Sequence, residues 1–332
     1  MKLADIAAKA KVSVTTVSRV LSDTGRVKES TRARVLEAVR EVHYYPNLLA
    51  RGLAKSQSRS LGVVAPNLQN PFYLEILLAL ESIARTREYE VEVANTNYRP
   101  SELISAARLM IGRRVAGLAL IASGSYPALF LELEENGLPV VVCGTGTPTG
   151  NISIIAMDYV NGMHRVMRHL RSLGHGRVAF VCRDTAVAPA MERKIAFLNA
   201  TRDFPGLRYI ALADSDDPKG GQHATHQLLA SGFRPTAIVC ENDYMALGVL
   251  RSLCERGLRV PEDLSVTGYD NIILSEFAHP PLTTVEVPRE EIARRAFESI
   301  VTNDGGIPQG GRTFVIDHEL VVRESTGRPG LQ

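Results

Sequence analysis

The sequence has few cysteines, and they lie far apart. Its 332 residues include 4 cysteines, with no Cys-x-x-Cys pair and no dense spacing. Disulfide-stabilised scaffolds and structural zinc modules both need closely spaced cysteines, so this distribution argues against either. It fits reduced thiols in a cytosolic protein. We expect no disulfide framework and no metal site.

Long apolar runs are also absent. No stretch reaches the ~18 consecutive apolar residues of a membrane-spanning helix, because Glu75 and Glu81 interrupt the best candidate. The opening Met-Lys-Leu-Ala-Asp-Ile carries charge too early, and too little apolar length, for a secretory signal peptide. We therefore predict a cytoplasmic protein with no membrane partner.

The common catalytic motifs are missing as well. There is no Gly-x-Ser-x-Gly elbow and no Walker loop. The run from Gly144 to Gly150 is interrupted by Pro148, its glycine spacing is wrong and no helix follows it, so it does not fit a dinucleotide-binding loop. His318-Glu319 lacks the second histidine of a zincin motif, and His223 and His226 flank no glutamate. We predict a protein that is not an enzyme and uses no cofactor.

Charge is distributed unevenly along a chain of otherwise ordinary composition. With 45% hydrophobic residues, 22% charged residues and a net charge of +2, the sequence is that of a soluble globular protein of two or three domains. Residues 1–60 hold 12 lysines and arginines against 5 acidic residues, whereas the remainder holds 26 against 31. A basic head on an acidic body predicts that the head binds a polyanion, either nucleic acid or a membrane surface.

The head has the periodicity of three short helices. Apolar residues recur at spacings of three and four in three groups: Leu3, Ile6, Ala7 and Ala10; Val17, Val20 and Leu21; and Val35, Leu36, Val39 and Val42. Ser13 is placed to cap the second helix, and only residues 11–13 separate that helix from the first. So short a connection predicts a helix-turn-helix. The alternative is a plain three-helix bundle with a solvated basic face.

The second helix of a helix-turn-helix places its N-terminal residues toward base edges in the major groove. Here those residues are Val14, Thr15, Ser18 and Arg19. Arg19 is long enough for a bidentate contact with guanine, and the hydroxyls of Thr16 and Ser18 suit phosphate contacts. These features predict that double-stranded DNA is the polyanion.

Residues 47–60 form a separate segment. Pro46 ends the third helix, since the residue before a proline is pushed out of the α region. Residues 47–55 can form a helix, but nine residues containing Gly52 are below the ~12–15 at which an isolated helix becomes marginal in water. We expect this hinge segment to fold only in contact with a partner.

From Leu61 onward, short β runs alternate with helical patterns. The runs are 61–65, 90–94, 117–121, 139–143 and 152–155 in a first set, and 177–181, 209–212, 236–240 and 264–267 in a second. Such alternation predicts βαβ units and parallel sheets covered on both faces. Two sets of four or five strands suit two doubly wound lobes, with ligands bound in a cleft beyond the carboxyl ends of the strands.

The predicted fold class is therefore a small all-α helix-turn-helix head with a hinge helix, joined to an α/β core of two doubly wound parallel-sheet lobes. We place the DNA-binding domain at 1–46, the hinge helix and linker at 47–60, and the effector-binding and dimerisation core at 61–332.

Motifs along nearly the whole chain resemble the LacI family of bacterial transcriptional regulators. They are Asp5 to Leu21, Tyr45-Pro46-Asn47, Ala50 to Leu53, Asn70-Pro71-Phe72, Gly174-His175, Asn242 to Gly248, Gly257 to Asn271, and Pro281 to Thr284. The resemblance implies a periplasmic-binding-protein-like core and a homodimer on a pseudo-palindromic operator. It also implies a hinge helix in the minor groove, where Leu53 wedges between central base pairs beside Ala50 and Arg51.

The resemblance further implies an effector site between the lobes. The positions that match are Phe72, Tyr73, Ser123, Arg193, Asp216, Asn242 and Asp270. Arg193, Asn242 and Asp270 suit a polyhydroxyl ligand, so we predict a sugar or a sugar derivative as the effector. For each of these residues, a purely structural role is the alternative.

Five positions depart from the family pattern, and one of them is Gly144, where some relatives have an aspartate. Lys11 stands where glycine or asparagine is usual, and Ser22 stands where asparagine is common. Arg183 stands where glycine usually follows the strand ending at Cys182, and Asp216 stands where relatives often have a stacking aromatic residue. These departures bear on affinity and loop shape rather than on the fold.

The sequence thus predicts a sequence-specific transcriptional regulator, a repressor, whose operator affinity a small metabolite controls. Release of DNA by the effector and dependence on the effector are both compatible with the sequence, as are dimers and larger assemblies. The alternative function is a solute-binding protein or a carbohydrate-acting enzyme on the same two-lobed core.

Overall fold

The computed structural model describes residues 3–21, 26–42, 58–121, 126–183, 188–302 and 310–330. The chain forms two compact units, Met1–Ser58 and Arg59–Gln332. The predicted fold class, an all-α head and a two-lobed α/β core, is confirmed. The predicted hinge helix falls in residues 43–57 and lies outside the described residues.

The first unit contains three helices around a small apolar core. They are α1 (Leu3–Ala10), α2 (Val14–Leu21) and α3 (Glu29–Glu41). The buried side chains are Ile6, Ala7, Ala10, Val17, Val20, Val35 and Ala38. The prediction was wrong for Leu36, which is 41% exposed. Its position one residue beyond Val35 rotates it about 100° away from the stripe that Val35 and Ala38 share.

The turn between α1 and α2 has the predicted cap and one left-handed residue. The amide N of Thr16 donates to Ser13 Oγ at 3.1 Å, which confirms Ser13 as the cap of α2. Lys11 has φ of +52°, a left-handed conformation that costs a residue other than glycine roughly 1–2 kcal/mol. The departure at Lys11 therefore places backbone strain in this turn.

The second unit alternates strands with helices, as predicted. In chain order its elements are β1 (Ser60–Ala65), α4 (Pro71–Thr86), β2 (Glu90–Asn95), α5 (Pro100–Gly112), β3 (Gly117–Ile121), α6 (Pro127–Glu135), β4 (Val140–Cys143), β5 (Ile152–Met157), α7 (Tyr159–Leu173), β6 (Arg177–Arg183), α8 (Ala188–Arg202), β7 (Arg208–Asp214), α9 (Pro218–Ala230), β8 (Ala237–Cys240), α10 (Asp243–Glu255), β9 (Ser265–Thr267), α11 (Ile273–Glu276), β10 (Thr284–Glu286), α12 (Arg289–Ile300), β11 (Thr313–Ile316) and β12 (Glu319–Val321).

Two parallel sheets define the two lobes. The first lobe has six strands in the order β2-β1-β3-β4-β5-β11, and the second has four in the order β7-β6-β8-β9. All residues of β3, β4 and β8 are buried. Strands covered on both faces read as continuous apolar runs, which is why the sequence revealed them.

All nine predicted strands are present, and three further strands were missed. One of these, β11, joins the first sheet beside β5, so this sheet has six strands rather than the four or five predicted. The other two, β10 and β12, form an antiparallel pair. Because α12 packs on α4 and the first sheet after β10, and β12 returns to β10, the chain passes between the lobes three times.

Both sheets direct their carboxyl ends toward a common site. In the first lobe β2 and β3 flank β1, and in the second lobe β7 and β8 flank β6. Each sheet therefore has a topological switch point at its first strand, where α/β sheets bind ligands. Among the described residues, no helix combines the length and apolar character needed to cross a membrane.

Candidate functional site

Helix α2 presents a polar face outward. Val17 and Val20 are buried, whereas Val14, Thr15, Ser18 and Arg19 are exposed. All four residues predicted to face base edges thus lie on the exposed side of one two-turn helix. Thr16 points toward the turn, where its hydroxyl lies 2.9 Å from the hydroxyl of Ser13. The predicted minor-groove residues Ala50, Arg51 and Leu53 lie outside the described residues.

A polar cleft of ≈ 510 Å³ lies between the lobes of the second unit. Its lining residues are Asn67, Gln69, Asn97, Tyr98, Arg183, Ala213, Asp214, Ser215, Asp216 and Asp217. Of the predicted effector residues that the structure describes, Asp216 lines this cleft directly. Ser123 lies outside the described residues. The cleft offers carboxylates and amides, which accept and donate hydrogen bonds to hydroxyl groups.

Asp216 lies at the centre of contacts from both lobes. In the second lobe, Asn242 Nδ2 donates to Asp216 Oδ1, and Arg183 Nη1 lies 3.6 Å from Asp216 Oδ2. From the first lobe, the hydroxyl of Tyr98 donates to the same Oδ2. The guanidinium of Arg183 also lies over the ring of Tyr98, 3.9 Å from its centroid. This contact set joins the two lobes at the cleft.

Neighbouring strand ends bring these side chains together. Arg183 ends β6, Asp216 follows β7, and Asn242 follows β8, and these three strands are adjacent and parallel. Asn242 also caps α10, since its Oδ1 accepts from the amide N of Met245 at 2.8 Å. That bond commits the oxygen of the side chain and leaves the NH₂ group to face Asp216. The fold thus fixes the orientation of Asn242 through its own helix.

Arg193 and Asp270 form a buried ion pair beside this cluster. Arg193 Nη2 donates to Asp270 Oδ1 at 2.7 Å, and Nη1 donates to the backbone oxygen of Glu241 at 2.8 Å. The guanidinium lies 4.9 Å from the ring centroids of both Tyr159 and Tyr269. Burial raises the pKa of the Asp270 carboxyl, and Arg193 opposes that rise. The three predicted residues Arg193, Asn242 and Asp270 therefore lie in one region, and their side chains are held in place by hydrogen bonds within the protein.

Phe72 and Tyr73 lie at the start of α4 in the first lobe. Asn70 caps this helix, because its Oδ1 accepts from the amide N of Phe72 at 3.1 Å. Both aromatic side chains are buried, and the ring centroid of Tyr73 lies 6.5 Å from that of Tyr98. Burial raises the pKa of the Tyr73 hydroxyl. Tyr73 therefore packs beside Tyr98, and neither Phe72 nor Tyr73 is among the residues that line the cleft.

Several residues that line the cleft were not predicted from the sequence, above all Tyr98. A usable signal was present, because Tyr98 follows the carboxyl end of β2, where the ligands of parallel sheets bind. Arg183 was recognised as a departure from the family pattern but was not assigned to the site. Its side chain is 7% exposed and lines the cleft beside Asp216.

Comparisons with known proteins agree with this architecture. Residues 2–47 match the family described as bacterial regulatory proteins, lacI family, and residues 167–326 match the periplasmic binding protein-like domain. The chain is 33% identical over 325 residues to the HTH-type transcriptional repressor CytR of Escherichia coli (strain K12), an alignment that covers 97% of this chain and 95% of the relative.

Two solved structures cover the full architecture. One is the Lac repressor dimer bound to operator and the anti-inducer ONPF, with a TM-score of 0.83 and 28% identity over 98% of this chain and 99% of the other. The second is a complex of the transcriptional regulator CelR with cellobiose, with a TM-score of 0.69 and 28% identity over the same shares. The helix-turn-helix head, the two-lobed core and the relative matched over its length together establish that the chain belongs to the LacI family of bacterial regulatory proteins and is a DNA-binding transcriptional regulator.

Proposed function

We propose that the protein is a cytoplasmic repressor that binds a pseudo-palindromic operator as a homodimer, has no enzymatic activity, and responds to a small effector bound between its lobes. The observation that carries this proposal is the outward polar face of α2, fixed by the buried Val17 and Val20 on its opposite side. A solute-binding protein or a carbohydrate enzyme would have no use for this head. The relatives and the matched head favour a regulator over that alternative.

The proposed DNA contacts come from two segments. Val14, Thr15, Ser18 and Arg19 of the helix-turn-helix domain, residues 1–46, read bases in the major groove, and Thr16 assists at a phosphate. The hinge helix and linker, residues 47–60, place Ala50, Arg51 and Leu53 in the minor groove, where an apolar wedge at Leu53 kinks the duplex. Contacts of the basic head with phosphates release counterions, so operator affinity falls steeply with salt. Because the hinge folds on binding, affinity also falls with any effector that separates the two hinges.

The proposed effector is a sugar or a sugar derivative, bound by the core of residues 61–332. The cleft is lined mainly by carboxylates and amides, which suit a ligand with many hydroxyl groups. The contacts proposed from the family resemblance are Phe72, Tyr73, Ser123, Arg193, Asp216, Asn242 and Asp270, and among those that the structure describes, Asp216 lines the cleft directly. The structure of CelR with cellobiose supports a sugar in a fold of this kind. A thermal-shift screen of metabolites tests the assignment, and stabilisation by purines alone would contradict it.

The proposed dimer surface is an exposed apolar patch on both lobes. Leu74 and Leu78 of α4, Ile273 and Leu274 of α11, and Phe277 directly after α11 are between 40% and 74% exposed. The amide N of Ile273 donates to Glu75 Oε1 of α4 at 3.1 Å, so the two groups of exposed apolar residues are neighbours across the lobes. Clustered exposed apolar side chains of this kind favour an interaction site. A second copy is the occupant that a two-fold related operator requires, and the Lac repressor structure is a dimer.

The DNA proposal is tested by selection and titration. Duplexes that the full chain enriches from a random pool supply an operator, and gel-shift titration then compares Arg19→Ala with Arg34→Ala. Both variants lose one exposed arginine of the head, but Arg34 lies on α3. Loss of a bidentate base contact costs about 1–3 kcal/mol, so Arg19→Ala should weaken specific binding roughly 5- to 150-fold.

The Arg34→Ala control should weaken specific and non-specific binding by the same small factor. Leu53→Ala should lose specific affinity and keep most non-specific affinity. Equal loss of both kinds of binding in Arg19→Ala and Leu53→Ala would contradict the assignment. Failure of the wild-type chain to enrich any duplex, with or without metabolites, would overturn the proposed function.

A further inference from the structure

We propose that Tyr98 acts as an internal ligand of the effector cleft. Its side chain reaches from the first lobe to the second, where its hydroxyl binds Asp216 and its ring packs against Arg183. The effector must displace Tyr98 to bind. The inference rests on the proposed function, since it concerns the regulation of the same cleft. It adds a residue that the family pattern did not assign. It also specifies what the effector has to offer chemically.

Tyr98 makes contacts through both its hydroxyl and its aromatic ring. Its hydroxyl donates to Asp216 Oδ2, while Arg183 covers the ring at 3.9 Å from the centroid. Asp216 is held from its other oxygen by Asn242. An effector hydroxyl or amine that seeks Oδ2 therefore meets a carboxylate whose two oxygens are already accepting hydrogen bonds from the protein.

The two residues that hold Tyr98 are both departures from the family pattern. Arg183 replaces a usual glycine, and Asp216 replaces a frequent stacking aromatic residue. The structure brings these two separate departures onto one side chain of the opposite lobe. An arginine that stacks on a tyrosine and an aspartate that accepts its hydroxyl form a complete recognition set for that side chain. Tyr98 thereby places an aromatic ring from the first lobe beside Asp216 and Arg183 of the second.

The backbone at Tyr98 is held in an unfavourable conformation. Asn97 and Tyr98 are consecutive residues other than glycine, with φ of +48° and +59°. Residues of this kind rarely adopt that region, and it persists where the surrounding structure determines it. The inter-lobe contacts provide such a restraint, and release of Tyr98 lets this loop relax as the lobes separate.

Arg183 indicates what a displacing ligand must provide. Its side chain is 7% exposed, and its Nε and Nη1 make no hydrogen bond to any residue that the structure describes. A buried donor without an acceptor is costly. A ligand that offers a hydrogen-bond acceptor to Arg183 and a hydroxyl or amine donor to Asp216 would therefore replace Tyr98 with better-matched partners. This combination is the chemistry of a hydroxylated ligand that also carries acceptor atoms.

Hydrogen exchange of the full-length, ligand-free protein tests the contact itself. Tyr98→Phe removes the hydroxyl and keeps the ring on Arg183, and Tyr209→Phe is the control, since Tyr209 is an exposed tyrosine of β7 outside the cleft. We expect exchange to accelerate about threefold or more in residues 95–99 and also in residues 214–218 of the other lobe, with no change in the control. Acceleration confined to 95–99, or absent from both segments, would overturn the proposal.

Operator binding tests the regulatory role. On a duplex enriched by the wild-type chain, Tyr98→Phe and Asp216→Asn should shift the ligand-free dissociation constant at least threefold in the same direction, and the double variant should shift it no further. Shifts under twofold, with exchange altered as above, would show a structural contact without regulation and overturn the proposal. If the wild-type chain enriches no duplex, the proposed function fails, whereas the exchange experiment still decides whether Tyr98 holds the two lobes together.

Discussion

His318 should make the folded core sensitive to acid. It lies between β11 and β12, at a passage of the chain between the lobes, and its side chain is fully buried. The Nδ1 of His318 lies 2.6 Å from the hydroxyl of Tyr269, and burial lowers the pKa of the imidazole from 6.5 to about 3, helped by the nearby charge of Arg193 and opposed by Asp317. The folded protein therefore keeps this histidine neutral.

The sign and size of the effect follow from proton linkage. Because the pKa is lower in the folded state, the contribution of His318 to stability is present above pH 6.5 and is lost as the pH falls toward 3. Unfolded chains bind the proton first, and each pKa unit corresponds to about 1.4 kcal/mol. As the pH falls from 7 to 5, the low pKa of His318 should reduce the free energy of unfolding by about 2 kcal/mol.

Urea unfolding at several pH values measures this contribution. His318→Asn keeps an acceptor for the Tyr269 hydroxyl but does not titrate, so its stability should fall about 2 kcal/mol less than that of the wild type between pH 7 and pH 5. His226→Asn, at an exposed histidine of α9, serves as the control and should follow the wild-type curve. Parallel curves for wild type and His318→Asn would refute the assignment of a buried neutral histidine.

Three further variants test other parts of the structure. Arg193→Met leaves the buried Asp270 carboxylate without its partner and should lower the free energy of unfolding in urea by about 3–5 kcal/mol. The loss should be smaller when Asp270→Asn is added. An equal or larger loss in the double variant would contradict the ion pair. Lys11→Gly relieves the left-handed turn and should slow amide exchange in α1 and α2 by a gain of about 0.5–1 kcal/mol, and faster exchange would exclude strain there. Phe277→Glu should yield monomers in sedimentation experiments, whereas Leu131→Glu, on an exposed site of α6, should not; a dimeric Phe277→Glu would place the interface elsewhere.

The head could be predicted closely because its information is local. Spacing of three and four residues fixes which side of α2 faces inward, and Ser13 and the short turn fix where the helix begins. Leu36 shows where the pattern was insufficient: Val35 and Leu36 are adjacent apolar residues, and the packing of α1 and α2 decided that Val35 is buried and Leu36 is exposed.

The cleft residues were predicted in part, and the reason is again physical. Asn242 and Asp216 were assigned through the resemblance to the family, and both follow strands that the sequence revealed. Tyr98 was missed because its partner Asp216 is 118 residues away, and no periodicity relates the two. Arg183 was recognised as an unusual residue at its position, but the residue type alone does not predict which aromatic ring its guanidinium will cover.

The sequence by itself determined the elements: three head helices, nine strands, the outward residues of α2 and the alternation that produces two parallel sheets. Each of these features depends on the order of apolar and polar residues within about a dozen positions, and the sequence itself contains that order. Tertiary structure alone decided that β11 joins β5 of the first sheet, that Arg193 pairs with Asp270, and that Tyr98 reaches across to Asp216. These choices depend on pairing and burial between distant segments, where many partners are chemically equivalent and only three-dimensional packing selects among them.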